Sequence, residues 1–261
     1  SGCGNSATEE KPTTESEKEP TTAEKQTQPE KEESKDASGK HEIKDLVTSQ
    51  LVVNEMETFN MLYSQSQKEF DVLCNNWDGL LEVDPHGVPI AGIAKDWGTE
   101  DGGLTWTFHL RAGQYWYDAD GNQKDPVTAN DYVAAARYVC DSAMDCSNSY
   151  LMDGWIVNAS ELLTYTAALL ANPVEQGTEV GEEQDLVVDA NGIIYEGSDW
   201  NKETEKYDTW TEVPAVTPED LGVEAVDDLT LVYHMVKPRP YFLTALQFGT
   251  YWPAPASLLA A

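Results

Sequence analysis

The residues able to do chemistry in this chain are few and scattered. Four cysteines stand at positions 3, 74, 140 and 146, and four histidines at 41, 86, 109 and 234. They form no CxxC pair and no spacing that would gather four ligands around zinc. Cys140 and Cys146, six apart, are compatible with a disulfide and equally with two buried thiols. Asp118, Asp120 and Asn122 imitate the opening of a calcium loop. Position six is Gln123 instead of Gly, however, and no bidentate Glu follows at position twelve, so calcium is set aside. No P-loop, GxGxxG fingerprint or Ser/His/Asp arrangement occurs. Asp and Glu are abundant enough that composition leaves a carboxylate-pair hydrolase open as an alternative, but their spread reads as surface charge. The chain calls for no metal and no cofactor, and binding is expected in place of catalysis.

Charge narrows the partners. The 261 residues carry 47 acidic and 16 basic side chains, a formal net charge of −31. A nucleic-acid backbone or an anionic membrane surface needs the opposite sign. Residues 1–45 hold 12 acids and 7 lysines, net −5, so the acidity belongs mostly to the remainder. That first segment is rich in Lys, Glu, Thr, Ser and Pro and contains no aromatic residue. It cannot bury enough apolar surface to offset its ordering entropy and is expected to be a disordered tether. Ser1-Gly2-Cys3-Gly4 resembles the end of a bacterial lipobox, which implies lipid attachment at Cys3. No run of 18 apolar residues occurs, so no helical membrane span is expected.

The elements that would position side chains follow from periodicity. Residues 45–54 are apolar and β-branched enough for a first strand, and Asn54, Glu55, Met56, Glu57 and Thr58 then form a polar turn. A helix is predicted over 63–77, with Phe70, Leu73, Cys74 and Trp77 on one face. Residues 78–84 read as a short strand before a Pro85-His86-Gly87 turn. Leu104, Trp106, Phe108 and Leu110 alternate with Thr105, Thr107 and His109, a period of two that predicts a half-buried strand with His109 on its polar face. Thr128 and Asp131 have capping-box spacing ahead of a helix over 131–143, with Val133, Ala136, Val139 and Cys140 inward. A second helix is predicted over 161–170. Residues 172–218 are acidic and Gly/Asn-rich and read as an inserted surface excursion. Within it, residues 186–195 form a hairpin turning at Asn191-Gly192. Two strand-like pieces around Asp227-Asp228 fill 223–236, and prolines at 238, 240, 253 and 255 break up the end.

The run from Ile93 to Val139 resembles the opening half of the family 5 extracellular solute-binding proteins, the oligopeptide and dipeptide receptors of ABC importers. The matching positions are Ala94, Trp97, Asp101, Gly102, Thr105, Trp106, Thr107, Phe108, Leu110, Arg111, Gly113, Trp116, Asp120, Gly121, Thr128, Ala129 and Asp131. Asp78-Gly79-Leu80-Leu81 and the stretch 223–246 agree as well, with the acidic segment as an insertion. Physically, most of these residues build structure. Asp101-Gly102-Gly103 turns into the strand, Arg111 can fix a neighbouring carboxylate or carbonyls, and Trp106, Phe108 and Trp116 fill a core. Trp116 to Gly121 is longer than the corresponding family turn.

The resemblance implies an α+β fold of the periplasmic-binding-protein kind (α/β-like, type II, cluster C). Residues 46–58 would be the first strand of lobe I and a cleft loop. Residues 59–261 would be the accessory subdomain of lobe I, a mostly antiparallel sheet with flanking helices, and the second lobe would be absent. The chain thus reads as the N-terminal part of a longer receptor. The implied function is capture of extracellular oligopeptides for a membrane permease, by a monomeric lipoprotein outside a Gram-positive cytoplasmic membrane. An oligosaccharide is the alternative ligand, given eight tryptophans and twelve tyrosines. Family peptides are held in an extended form through backbone hydrogen bonds. The implied contacts are Asn54, Glu55, Met56 and Glu57 along the cleft, and Tyr150 with Trp155. The same residues read structurally as solvated turn acids and loop-edge core.

Overall fold

The computed structural model describes residues 55–259. The tether, the strand expected over 45–54, Cys3 and Asn54 lie outside the described residues.

The chain opens with a short helix, α1 (Gln67–Leu73), two turns long where a helix over 63–77 is predicted. Side chains bond at both ends: Ser64 Oγ donates to the Glu69 carboxylate, inside the first turn, and Asn75 Nδ2 donates to the carbonyls of Asp71 and Val72 at the far end. Such local bonds compete with helix continuation. Cys74 therefore falls outside the apolar face and is exposed, while Leu73 packs with Met61 and Trp252 in a small cluster.

Four strands follow: β1 (Leu81–Val83), β2 (Pro89–Ala91), β3 (Ala94–Gly98) and β4 (Thr105–Leu110). β1 and β2 make a hairpin, with Asp84 accepting the N–H groups of His86 and Val88. In β4 the predicted alternation holds for Phe108 and Leu110, both fully buried, and for His109, which is exposed with its Nδ1 2.5 Å from Asp96 Oδ1. Leu104 departs from it at 40% exposure, because it precedes the paired part of the strand. Arg111 is exposed at the strand end, where its N–H binds the Ile93 carbonyl.

β5 (Tyr115–Tyr117) and β6 (Gln123–Pro126) form the lengthened turn. Asp118 organises it, accepting the N–H groups of Asp120 and Asn122 and pairing with Lys124 at 2.8 Å. Then come α2 (Ala129–Val139) and α3 (Ala159–Leu170), joined through two short 3-10 turns. The capping box forms, with the Thr128 N–H 2.8 Å from Asp131 Oδ2. All four predicted inward residues of α2 are buried, together with Tyr132 and Ala135.

The acidic segment is a sheet in its own right: β7 (Val174–Glu175), β8 (Leu186–Val188), β9 (Ile194–Asn201) and β10 (Lys206–Glu212), in the order β10-β9-β8-β7. The β8–β9 hairpin does not use a two-residue Asn-Gly turn. The Asp189 N–H still bonds the Ile193 carbonyl, which leaves a three-residue loop with Gly192 at φ +84. Asp189 accepts from Asn191 and Ile193 and so selects this longer loop.

The chain then adds β11 (Val223–Asp227) and β12 (Thr230–His234), which complete the principal antiparallel sheet in the order β11-β12-β4-β3. Two one-turn helices, α4 (Phe242–Ala245) and α5 (Ala256–Leu259), occupy the proline-punctuated end. The core lies between this sheet, α2 and the α4 region. Phe108, Tyr233, Phe242 and Tyr251 meet edge-on there, with ring centroids 5.6–6.5 Å apart. Each such ring contributes about 1.5–3 kcal/mol by leaving water.

Candidate ligand-binding surface

The segment Glu55 to Thr58 lies outside any helix or strand and is anchored from one side by a single buried carboxylate. Glu69, only 2% exposed, accepts the N–H of Glu57 at 2.7 Å, the N–H of Thr58 at 3.2 Å and the Ser64 hydroxyl at 2.5 Å. The Ser64 bond chiefly holds its carboxyl below the usual range. The two backbone donors and the Lys68 ammonium add to this, against the opposing effect of burial. Lys68 also donates to the Glu55 carbonyl and lies 3.7 Å from Glu57. Glu55 and Glu57 keep their own side chains exposed, and Met56 is half-buried.

A second loop is tied to this frame. Buried Asn148 donates to the Ser64 carbonyl at 2.8 Å, and its own carbonyl accepts the Leu151 N–H. The 3-10 turn so formed, Ser149–Leu151, is pinned from the core by the Tyr251 hydroxyl on the Leu151 carbonyl at 2.6 Å. Tyr150, between these fixed points, is 61% exposed. The structure thus joins the 55–58 segment and Tyr150 through Glu69, Ser64 and Asn148. Their backbone is tied by these bonds, while the side chains of Glu55, Glu57 and Tyr150 stay exposed.

Trp155 stands apart. It is half-buried against the core, with the Arg239 guanidinium 4.9 Å over its ring and Arg239 Nη2 bonded to the Gly154 carbonyl. Among the described residues no hydrogen bond links it to the other predicted contacts. Asn54 lies outside the described residues.

Sequence reasoning missed Glu69, whose place inside a helical pattern looks like any surface acid. It also missed the exposed rings Phe59 and Phe248, at 62% and 46%. Gly249 approaches Met61 so closely that a Cβ would come within 2.5 Å of its sulfur, which brings Phe248 beside the 59–63 segment. Isolated aromatic residues in polar stretches carry no periodic signal that would find them.

The arrangement offers an anchored backbone segment, the exposed carboxylates of Glu55 and Glu57, the latter beside Lys68, and several exposed rings. The buried thiols are poor nucleophiles, since burial pushes Cys140 up to about 12 and Cys146 to about 11. Both are free, so the disulfide is not formed. Among the described residues no group of three or more His, Cys, Asp or Glu could hold a metal ion, and no helix is long and apolar enough to cross a membrane.

Known structures define the class of fold first. The chain superimposes on a periplasmic oligopeptide-binding protein from Borrelia burgdorferi with a TM-score of 0.54, at 21% identity over 78% of this chain and 30% of that one. Haemophilus influenzae OppA, crystallised in complex with RPPGFSPFR, gives 0.52 at 25% identity, covering 78% of this chain and 29% of that one. The fold is accordingly an α+β part of the periplasmic peptide-binding architecture. Residues 88–257, more than half of the sequence, match the bacterial extracellular solute-binding proteins, family 5 Middle, and the chain belongs to that family. The oligopeptide-binding protein AmiA of Streptococcus pneumoniae is 25% identical over 197 residues, 76% of this chain and 22% of AmiA. The chain spans less than a third of the length of these relatives.

Proposed function

We propose that this chain is part of a receptor that captures oligopeptides outside the cell and passes them to an ABC permease, without catalysing a reaction. Family membership over 88–257 supports solute binding, and the names of the relatives favour peptide over oligosaccharide. The observation that carries the site is the frame of Glu69, Ser64 and Asn148. It presents the 55–58 segment and Tyr150 on one rigid support. A peptide lying along 55–58 would meet a segment already anchored by Glu69 and Lys68, with Glu55 and Glu57 near its cationic groups and Tyr150 stacking against its side chains. Pre-organised contacts of this kind lower the ordering cost of binding. The resemblance of residues 1–4 to a lipobox supports lipid attachment at Cys3. On this reading 1–45 is the tether, 46–58 enters lobe I and 59–261 is its accessory part, working as a monomer.

Calorimetry tests the proposal on the receptor at the length of its relatives, with pools of oligopeptides and oligosaccharides. Peptide heats are expected, and Tyr150→Ala should weaken them about tenfold, an effect of roughly 1.4 kcal/mol. Affinity unchanged in both Tyr150→Ala and Glu57→Gln would remove the site assignment. Heats with oligosaccharides alone would remove the ligand class.

A further inference from the structure

The acidic sheet carries a hollow that the peptide-capture reading does not use. It has a volume of about 820 Å³, and its aromatic wall is Trp200, Tyr207 and Trp210. The three rings form one row: Trp200 and Tyr207 meet edge-on at 4.9 Å, Tyr207 and Trp210 at 5.4 Å. Tyr207 is the fixed member. Its hydroxyl donates to the Glu182 carbonyl at 2.5 Å, and its ring lies against Gly197, where a Cβ would come within 2.6 Å of it. The two tryptophans flank it with ring surface open to solvent, Trp210 at 36% exposure.

Charge indicates what would fit. Residues 172–218 contain 12 acids and only two cations, Lys202 and Lys206. Both lysines stand at the hollow, exposed, among Glu179, Glu182 and Glu205. The same field acts on Tyr207, whose hydroxyl is pushed up by burial first and by the charges of Asp185 and Glu182 next. Open indole faces inside a negative field attract cations, because the ring quadrupole and the carboxylates act with the same sign. An anionic ligand is repelled, and a neutral saccharide gains nothing from the charge.

We propose that this hollow is a second binding site, separate from the 55–58 and Tyr150 surface, that accepts the arginine or lysine side chains of a basic peptide segment. A guanidinium stacks on Trp200 or Trp210 while Glu179, Glu182 and Glu205 neutralise it, and Lys202 and Lys206 compete with it at the rim.

The test titrates the whole chain calorimetrically with an end-blocked hexapeptide carrying three arginines, its three-glutamate counterpart, and a neutral hexasaccharide. The arginine peptide alone should bind. Trp200→Ala with Trp210→Ala should lower its affinity about tenfold, and Lys202→Ala with Lys206→Ala should raise it about threefold. Glu82→Gln with Asp120→Asn, exposed carboxylates outside the acidic sheet, should leave it within twofold. Should the tryptophan variant unfold the sheet, Glu179→Gln with Glu205→Gln at exposed positions should still lower affinity about threefold. The proposal is overturned if the remote carboxylate variant loses as much as the local one, since attraction would then be diffuse. It is overturned equally if removing the lysines weakens binding, or if Tyr150→Ala alone abolishes it, which would assign the peptide to the other surface.

Discussion

The two four-stranded sheets are held by different forces. The principal sheet, β11-β12-β4-β3, packs Phe108, Leu110, Leu231 and Tyr233 against α2 and α4, all at 1% exposure or less. The acidic sheet, β10-β9-β8-β7, buries only Val187 and Ile194 among its residues, Ile194 packed with Val213 just past β10 and Ala168 of α3. Its shape rests on turn chemistry, Asp189 at one hairpin and Asn201 at the next, and on the row of three rings. Burial couples distant strands into one cooperative unit, whereas turn bonds act locally. The acidic sheet can therefore vary its surface at little expense to the rest of the molecule.

Five measurements would break or sharpen this contrast. Phe108→Ala should cost about 3–5 kcal/mol and lower the unfolding midpoint of the whole domain, since it empties the centre of the aromatic cluster. Ile194→Ala should cost about 2–4 kcal/mol but act locally, removing amide-exchange protection from β8 to β10 while β4 and β12 stay protected. If Ile194→Ala shifted both regions together, the sheets would be one cooperative unit and the contrast would fall.

Glu69→Gln should cost about 1–3 kcal/mol, because it weakens three bonds to a buried acceptor. The sign with pH follows from its lowered pKa. The carboxylate adds stability that is fully present above its unfolded value, and this is lost as pH falls through the lower folded value. Acid titration of the native chain should thus loosen 57–64 below the ordinary carboxylate range, and Glu69→Gln should flatten that dependence.

Gly192→Ala forces a Cβ into the left-handed conformation at φ +84 and should cost about 1–2 kcal/mol. Its effect should be confined to the β8–β9 hairpin. The smallest effect concerns the thiols. Iodoacetamide followed by peptide mapping should label Cys74 in the native chain, while Cys140 and Cys146 react only after unfolding.

Much of the principal layer was legible in the sequence. The run Thr105 to Leu110 carries its period of two, Thr128 and Asp131 their capping-box spacing, and Asp227 its turn between β11 and β12. These signals are local, and the structure keeps them because packing agrees with them. The helix over 63–77 is shorter than its spacing suggests, and side chains bond at both of its ends: Glu69 accepts the amides of Glu57 and Thr58, and Asn75 donates to two carbonyls of the last turn. The hairpin turn failed for a related reason. Asp189 captures two amides and outcompetes the Asn-Gly pair.

The candidate surface divides in the same way. Tyr150 and the 55–57 acids were implied as contacts by the family resemblance, but the link between them could not be read from sequence. It runs from Asn148 to Ser64, 84 residues apart, and closes on a carboxylate that periodicity places on an ordinary helix.

By itself the sequence determined the charge, the segments that form strands and helices, and the family to which the chain belongs. These depend on composition and on neighbours within a few residues. Only the tertiary structure decided which loops share a frame, which thiols are sealed, and that an acidic excursion closes around three rings. Those outcomes depend on long-range hydrogen bonds and on what water can reach, and no local pattern encodes them.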